Sequence, residues 1–498
     1  MFLFGHGLIV WIQIGIVPDI EIQSRKAWVN EMIVPDTKWL PKIEGTGRSK
    51  YKALAETIRA GIVSGQLQPG VKLPPVRELA YQIGVTPGTV ARAYQLMTDE
   101  GRLTAGVGRG TFVADRTAPP HHAPDVPLIN TVDETIADFR SSRVPDVGQG
   151  RAIDAVMMEV AASHRRRHIN YPTQETDLEA REAVIDWMAG TDLGAVDADH
   201  IVLANGAQNA VVLSLLNILS GPAPVILTEE LAYPGVRHAA RLLRAKVVGV
   251  AMDEDGIIPE ALAAAYREHG GQVLITSPSV HSPTVIRTPL ARKLEIAEVA
   301  RSLNLSIIDD DCHASPKADV PSYRAILPEQ TYYVSSLTKS VSGALRFGFA
   351  VAPLGQGVAL RQVAQSAHYG VSQPITDICA ALIQNGQAAR IRGQVAQAIA
   401  KRVRIAVNIL GRWDIRWRED APFIWLSLPV GWRASRFMSA CEAQGIEVKP
   451  ADEFALPDDR APNAVRLAIG TCVSDALYTQ ALRQMDTLLA NPQGGMES

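Results

Sequence analysis

The stretch from Arg116 to Pro127, RTAPPHHAPDVP, constrains this chain more than any other. Pro119, Pro120, Pro124 and Pro127 fix φ and remove backbone donors, so no helix and no central strand can run through it. It reads as a semi-rigid linker, and the 498-residue chain must fold as separate bodies on its two sides. Hydrophobic residues make up 47% and charged residues 20%, enough apolar side chain for a sizeable core. The formal net charge of −3 excludes a chain that binds nucleic acid by its bulk charge. Any such contact must come from a local patch.

Two further features narrow the setting. Cys312, Cys379, Cys441 and Cys472 are scattered without metal-ligand or C-x-x-C spacing, and are expected to be reduced thiols of a cytoplasmic protein. The opening apolar run FLFGHGLIVWIQIGIV has no basic residue before it and no small-residue cleavage site after it. It is also short for a membrane span, and no membrane partner is expected. Residues 1–48 read as an extension, partly disordered. Met32 begins the more ordinary part, and residues 1–31 fit an upstream start codon.

Residues 49–115 carry four signals in order. An amphipathic helix runs from Tyr51 to Ser64, followed by the turn QLQPG. LPPVRELAYQIG then predicts a helix with proline in its first turn and Gly84 at its end. Thr86 can cap a second helix that continues from Gly88 to Met97. The short turn between these two has helix-turn-helix spacing. RLTAGVGRGTFVAD has the look of a two-stranded wing with a Gly-Arg-Gly tip. Groove geometry assigns the chemistry. Thr86, Gly88, Thr89 and Arg92 lead the second helix into a major groove, where hydroxyls and helix amides meet phosphate and arginine meets guanine. Arg77 would touch the backbone, and Arg109, beside Gly110 on the tip, would enter a minor groove. The pattern I-x-x-G-x-L-x-P-G-x-x-L-P-x-x-R-E-L-A, continued by T-V-x-x-A-Y and G-x-G-T-F-V, resembles the winged helix of GntR-type regulators. Pro87 stands where many such proteins have Arg, so one DNA contact is in doubt.

Beyond the linker, assigned to residues 116–133, β-rich runs alternate with helical stretches over residues 134–498. HIVLANG, APVILTEE, AKVVGVAMD, QVLITSPS, LSIIDDD, TYYVSSL and GFAVAP are the runs. This alternation predicts an α/β fold with a mainly parallel central sheet. QAARIRGQVAQAIAKRVRIAVNIL predicts a long helix ahead of a smaller α/β unit.

The run SSLTKSVSGALRFGFAVAP places Lys339 after a strand, where an amine can be desolvated for Schiff-base chemistry. With the Asp-rich end of LSIIDDD, this region resembles fold type I aminotransferases, which bind pyridoxal 5′-phosphate (PLP). Together with the winged helix, it resembles the MocR (GabR-like) subfamily of GntR-type regulators. The resemblance implies that Lys339 holds PLP and that Ser336, Arg346, Gly206, Ala207 and Gln208 hold its phosphate. It implies that Asp310 faces the pyridine nitrogen, with Asp309 or Asp311 as fallback, and that Tyr233 stacks on the ring. Arg466 matches the anchor for a substrate carboxylate, although a structural ion pair is the rival reading. Four departures stand out. Cys312 replaces a Tyr near the 3′-oxygen, with His313 as a substitute donor. Ser282, beside His281, replaces an Asn at the same edge. Val285 and Thr176 replace glycines. Tyr171 is expected to reach the partner subunit's cofactor.

The resulting expectation is a dimeric, PLP-dependent regulator of double-stranded operator DNA. An amine or amino acid effector would act by aldimine exchange at Lys339. The alternatives are an aminotransferase with an appended DNA-binding module, and a DNA-binding protein whose core no longer takes PLP.

Overall fold

A computed structural model describes residues 39, 41, 50–99, 102–106, 110–113, 135–163, 168–313, 320–456, 461–470, 472 and 474–492. The readings made for residues 1–31, Met32, Arg109 and the linker fall outside the described residues. The chain divides into two compact units between Asp125 and Val126.

In the N-terminal unit, helices α1 (Lys50–Val63), α2 (Val76–Gln82) and α3 (Pro87–Asp99) precede the hairpin of β1 (Leu103–Gly106) and β2 (Gly110–Val113). The helices form because apolar residues recur at helical spacing. Val90, Ala93, Tyr94 and Met97 line one side of α3 and meet Leu54 and Ile58 of α1 and Leu79 of α2 in one core. The wing gains a third edge through the bridge between Lys72 and Phe112. The Tyr94 hydroxyl donates to the Pro74 carbonyl at 2.8 Å, tying α3 to the turn that starts α2.

The second unit opens with β3 (Ala137–Asp138), α4 (Gln149–Ala162) and α5 (Leu178–Trp187). The seven sequence runs become β4 (Ile201–Ala204), β5 (Val225–Glu229), β6 (Lys246–Val250), β9 (Val273–Thr276), β10 (Ser306–Asp310), β11 (Thr331–Ser336) and β12 (Gly348–Val351). A small hairpin, β7 (Met252–Asp253) with β8 (Gly256–Ile257), lies between β6 and β9 in sequence. The seven strands form one sheet in the order β4-β12-β11-β10-β9-β5-β6. Only β12 runs antiparallel to its neighbours, so the sheet is mainly parallel, as the alternation predicts. The intervening helices are α6 (Ala207–Ile218), α7 (Pro234–Leu242), α8 (Pro259–His269), α9 (Leu290–Ser302) and the single turn α10 (Tyr323–Ile326).

Strand periodicity sends alternate residues to opposite faces. Ile226, Ile275, Ile308 and Val334 join α6 and α7 in one core, while Leu227, Leu274 and Ile307 join α8 and α9 in another. Helices α11 (Gly357–His368) and α12 (Gln373–Gln384) lead to α13 (Gln387–Leu410), the long helix read from the sequence. Its buried stripe is Ile391, Val395, Ile399, Val403, Ala406 and Leu410. The C-terminal part is an antiparallel sheet of β13 (Ile415–Arg416), β14 (Phe423–Ser427), β17 (Ala464–Ala468) and β16 (Lys449–Pro450), with α14 (Ala434–Glu442) and α15 (Asp475–Ala490). The remaining strand, β15 (Ile446–Glu447), pairs in parallel with β3. All four cysteines are free thiols. Among the described residues, no helix is long and apolar enough to cross a membrane.

Candidate functional site

In the N-terminal unit, Arg77, Thr86, Gly88 and Arg92 are exposed and Thr89 is half-buried. Thr86 caps α3: its Oγ1 accepts from the Thr89 amide at 3.3 Å and lies 2.9 Å from the Thr89 hydroxyl. The α3 N-terminus therefore presents two hydroxyls and the Gly88 amide, groups that suit phosphate oxygens. Gly110 takes a positive φ of 107° at the start of β2, and a Cβ there would lie 3.0 Å from Lys72 Cε.

In the second unit, the candidate residues converge at the C-terminal ends of β10 and β11. Lys339 sits in a single helical turn, Leu337–Lys339, directly after β11. Its Nζ donates to the Ser142 carbonyl at 2.6 Å. Burial pushes its amine down from the ordinary lysine value to about 8, despite the thiol of Cys312 and the carboxyl of Asp310 nearby, and Arg466 and Arg346 add to the depression.

Strand parity decides which aspartate belongs to this cluster. Asp310 shares the parity of Ile308, on the α6 face, whereas Asp309 and Asp311 share that of Ile307. Asp309 accepts from the Tyr323 amide at 2.9 Å, and Asp311 accepts from the Tyr333 hydroxyl at 2.8 Å. Asp310 Oδ1 and Asp309 Oδ1 are both buried without a protein partner, but only Asp310 shares the face of Ile308 and the field of Lys339. Burial raises the Asp310 carboxyl to about 6, and a hydrogen bond from Cys312 opposes the rise. An enclosed carboxyl with an empty acceptor fits a protonated nitrogen brought in by a ligand.

A second set of groups surrounds the start of α6. Gly206 caps this helix with φ 84°, and Ala207 is its first residue. Arg346, itself at φ 47°, donates to the Asn205 carbonyl at 3.1 Å. A Cβ on Gly206 would lie 2.6 Å from Arg346 Nη2, and one on Gly348 would lie 2.5 Å from the Gly206 carbonyl carbon. Only glycines permit this approach. Ser336, on the same strand face as Val334, has a buried Oγ without a partner. Helix amides, a guanidinium and an unused hydroxyl make a cradle suited to a phosphate group.

Tyr233 caps α7, and burial pushes its phenol well up, with the Asp310 carboxyl adding to the effect. The Gln208 side chain donates to the Gly235 carbonyl at 2.8 Å. Any side chain at Gly235 would overlap the Tyr233 ring and the Gln208 amide oxygen. Gly235 therefore fixes the aromatic wall, a role its place after Tyr-Pro hinted at without specifying.

Arg466 lies in the middle of β17 and is 6% exposed. Its guanidinium packs 4.8 Å from the Phe454 ring and 5.3 Å from the Phe423 ring. Nη1 donates to Ser282 Oγ at 3.3 Å, Nη2 donates to the Arg140 carbonyl, and Nε is buried without a partner. Among the described residues no carboxylate forms a salt bridge with it, although Glu453 and Asp138 lie close enough to raise its pKa. Burial lowers its pKa to about 10. Ser282 is thus engaged with Arg466. His281 bonds Thr284 at 2.7 Å, and Val285 is buried at φ 66°. His313 stands edge-on to Phe423 at 5.3 Å, and burial holds its imidazole well below the ordinary value, with the charges of Lys339 and Arg466 adding to this. Cys312 shares the cluster as a neutral thiol, since burial and Asp310 push its pKa well up. Tyr171 is 75% exposed and packs on Tyr369 at 5.5 Å, so it does not join the cluster of its own chain. Thr176 closes a local turn with Thr173.

No side-chain pattern points to Arg140 and Ser142, because both meet the site through backbone carbonyls.

Comparison with known proteins agrees with both halves. Residues 138–485 match the model of aminotransferase class I and II, and residues 50–113 match that of bacterial regulatory proteins of the gntR family. The chain is 25% identical to the uncharacterized HTH-type transcriptional regulator YdeF of Bacillus subtilis, over 86% of this chain and 92% of that one. It is 24% identical to the probable rhizopine catabolism regulatory protein MocR of Rhizobium meliloti, over 74% and 78%. Among solved structures, it resembles the α-aminoadipate aminotransferase LysN of Thermus thermophilus, complexed with N-(5′-phosphopyridoxyl)-L-leucine. That match has a TM-score of 0.63 and 20% identity, over 72% of this chain and 93% of the other.

Proposed function

The chain belongs to the aminotransferase class I and II family and carries a gntR-family DNA-binding module in the MocR (GabR-like) arrangement, and from this we infer that it is a PLP-dependent, effector-responsive transcriptional regulator of the cytoplasm. The observation that carries the reading is the unfinished bonding around Lys339. Asp310 Oδ1, Ser336 Oγ and Arg466 Nε are all buried without partners, in one cluster. Buried polar groups are rarely left unpaired without a reason.

The residues fit PLP. Ser336, Arg346 and the α6 N-terminus would hold its phosphate, Asp310 would face its ring nitrogen, and Tyr233 would cover its ring. When bound, PLP supplies an aldehyde that condenses with amines and a ring that withdraws electrons. Lys339 contributes a nucleophilic amine, since its lowered pKa raises the neutral fraction at pH 7 by about two orders of magnitude over an ordinary lysine. Arg466 would hold an effector carboxylate in the dry space between Phe423 and Phe454. The winged helices of a homodimer would read a paired operator. Regulation requires the effector to bind two arrangements of the core with different free energies.

Two measurements test this reading. Operator DNA is titrated with protein, with and without PLP, across a set of amines and amino acids. At least one effector is expected to shift the operator Kd, and only when PLP is present. An identical Kd under all conditions would overturn the regulatory reading. The second measurement follows the rate of PLP attachment by visible absorbance. The neutral amine is the reactive form, so the rate is expected to rise with pH up to about 8 and then level off. A rate still climbing at pH 10 would mean that Lys339 behaves as an ordinary surface lysine.

A further inference from the structure

Lys72 stands in the segment between α1 and α2, and that segment forms the third edge of the wing. The Leu73 amide donates to the Thr111 carbonyl at 2.8 Å, and the Val113 amide donates to the Val71 carbonyl at 2.9 Å. Lys72 itself bridges Phe112 in antiparallel sense. Strand alternation then sets its face. Leu73 and Val113 lie in the core, so Lys72, Phe112 and Gly110 share the outer face. The lysine side chain leans along the wing. Its Cε lies 3.0 Å from where a Gly110 Cβ would be, and its Cγ and Cδ each lie 3.9 Å from that point. Gly110 is two residues from Phe112, about 7 Å along a strand. The stem therefore runs toward the end of the hairpin where β1 and β2 join. Gly110 opens β2 and closes the Gly-Arg-Gly run of the sequence, and its missing side chain leaves the path clear. Among the described residues, no salt bridge or hydrogen bond engages the Lys72 ammonium.

We propose that Lys72 is a DNA-phosphate contact of the wing, brought there by its path across Gly110, and that it serves affinity and register, not sequence choice. The proposal rests on the DNA-binding reading of the gntR-family module above. An ammonium is a compact point charge that pairs with phosphate oxygens. Such contacts fix a protein on the duplex and carry no sequence information. The Pro74 carbonyl, two residues on, accepts from the Tyr94 hydroxyl of α3 at 2.8 Å. The segment that bears Lys72 is thus tied both to the wing and to the second helix of the helix-turn-helix. A phosphate held at Lys72 fixes the wing and α3 on the DNA backbone together. No acid has to be released when Lys72 meets a phosphate, so its whole charge is available to displace counterions.

The test selects a duplex from a random pool with the full chain. Kd is then measured for that duplex, and for an unrelated one of equal length, across a salt series. Lys72→Gln is expected to weaken binding to both duplexes by the same factor, about fivefold or more. It should also flatten the slope of log K against log salt by about one for each winged helix bound. Lys72→Arg keeps the charge and is expected to stay within twofold, with the slope unchanged. Hydrogen exchange of the 50–113 amides is expected to be the same in all three proteins, which separates a lost contact from a lost fold. A scan with single uncharged methylphosphonates is expected to find a position that weakens the wild type and leaves Lys72→Gln unaffected. An unchanged slope for Lys72→Gln, a loss confined to the selected duplex, or a loss matched by faster exchange overturns the Lys72 contact alone. Failure of the wild-type chain to bind any duplex overturns the DNA-binding reading and the contact with it.

Discussion

Lys339→Ala is expected to abolish the visible absorbance of the PLP-treated protein and to make the operator Kd the same, within twofold, with and without effector. The wild-type shift should be about tenfold or more, since coupling energies of this kind run at ~1–3 kcal/mol. The variant loses the response because the amine that would join the cofactor covalently is gone. Basal DNA affinity should survive. The winged helix has a core of its own, built on Leu54, Ile58, Leu79, Val90 and Met97, and Lys339 has no part in it. The variant should also fold, because it removes an amine whose charged form burial disfavours. The checks are an absorbance spectrum and a DNA-binding titration on the same preparation. A retained effector response would place the sensor elsewhere and remove the central claim about this site.

Arg466→Met is expected to weaken binding of a carboxylate-bearing effector by ~100-fold, while its decarboxylated analogue changes less than threefold. Each charge-assisted hydrogen bond contributes about 1.5–3 kcal/mol, and two-pronged pairing uses two of them. The losses in Ser282 and Arg140 contacts are common to both ligands and cancel in the comparison. Stability should hardly fall. The guanidinium is buried between Phe423 and Phe454 without a salt bridge among the described residues, and replacing a buried charge by an apolar side chain of similar length is often neutral or favourable. Absorbance titrations of the matched pair read the effect. Equal weakening of both ligands would show that Arg466 shapes the pocket without gripping a carboxylate.

The seven strands and the long helix α13 follow from period-2 and period-3.6 patterns, which are local. The winged helix was legible for the same reason, with turn glycines and the Thr86 cap at fixed spacing. The choice among Asp309, Asp310 and Asp311 was different. A run of acids at a strand end is ambiguous until its face is known. From its sequence position Arg466 is open between an anchor and an ion pair, because its surroundings come from residues as distant as Phe423 and Arg140.

By itself, the sequence determined the two-body organisation, the α/β alternation, the helix-turn-helix spacing and the place of Lys339 directly after a strand. Each rests on backbone propensities and on residues close together in the chain. Tertiary structure alone decided that Asp310 joins the Lys339 cluster, that no carboxylate among the described residues bridges Arg466, that Gly206 and Gly348 let two backbones meet, and that the carbonyls of residues 140 and 142 accept from Arg466 and Lys339. These depend on contacts between residues as far apart as Arg140 and Arg466, and on carbonyls that every residue type carries alike, so no side-chain pattern can encode them.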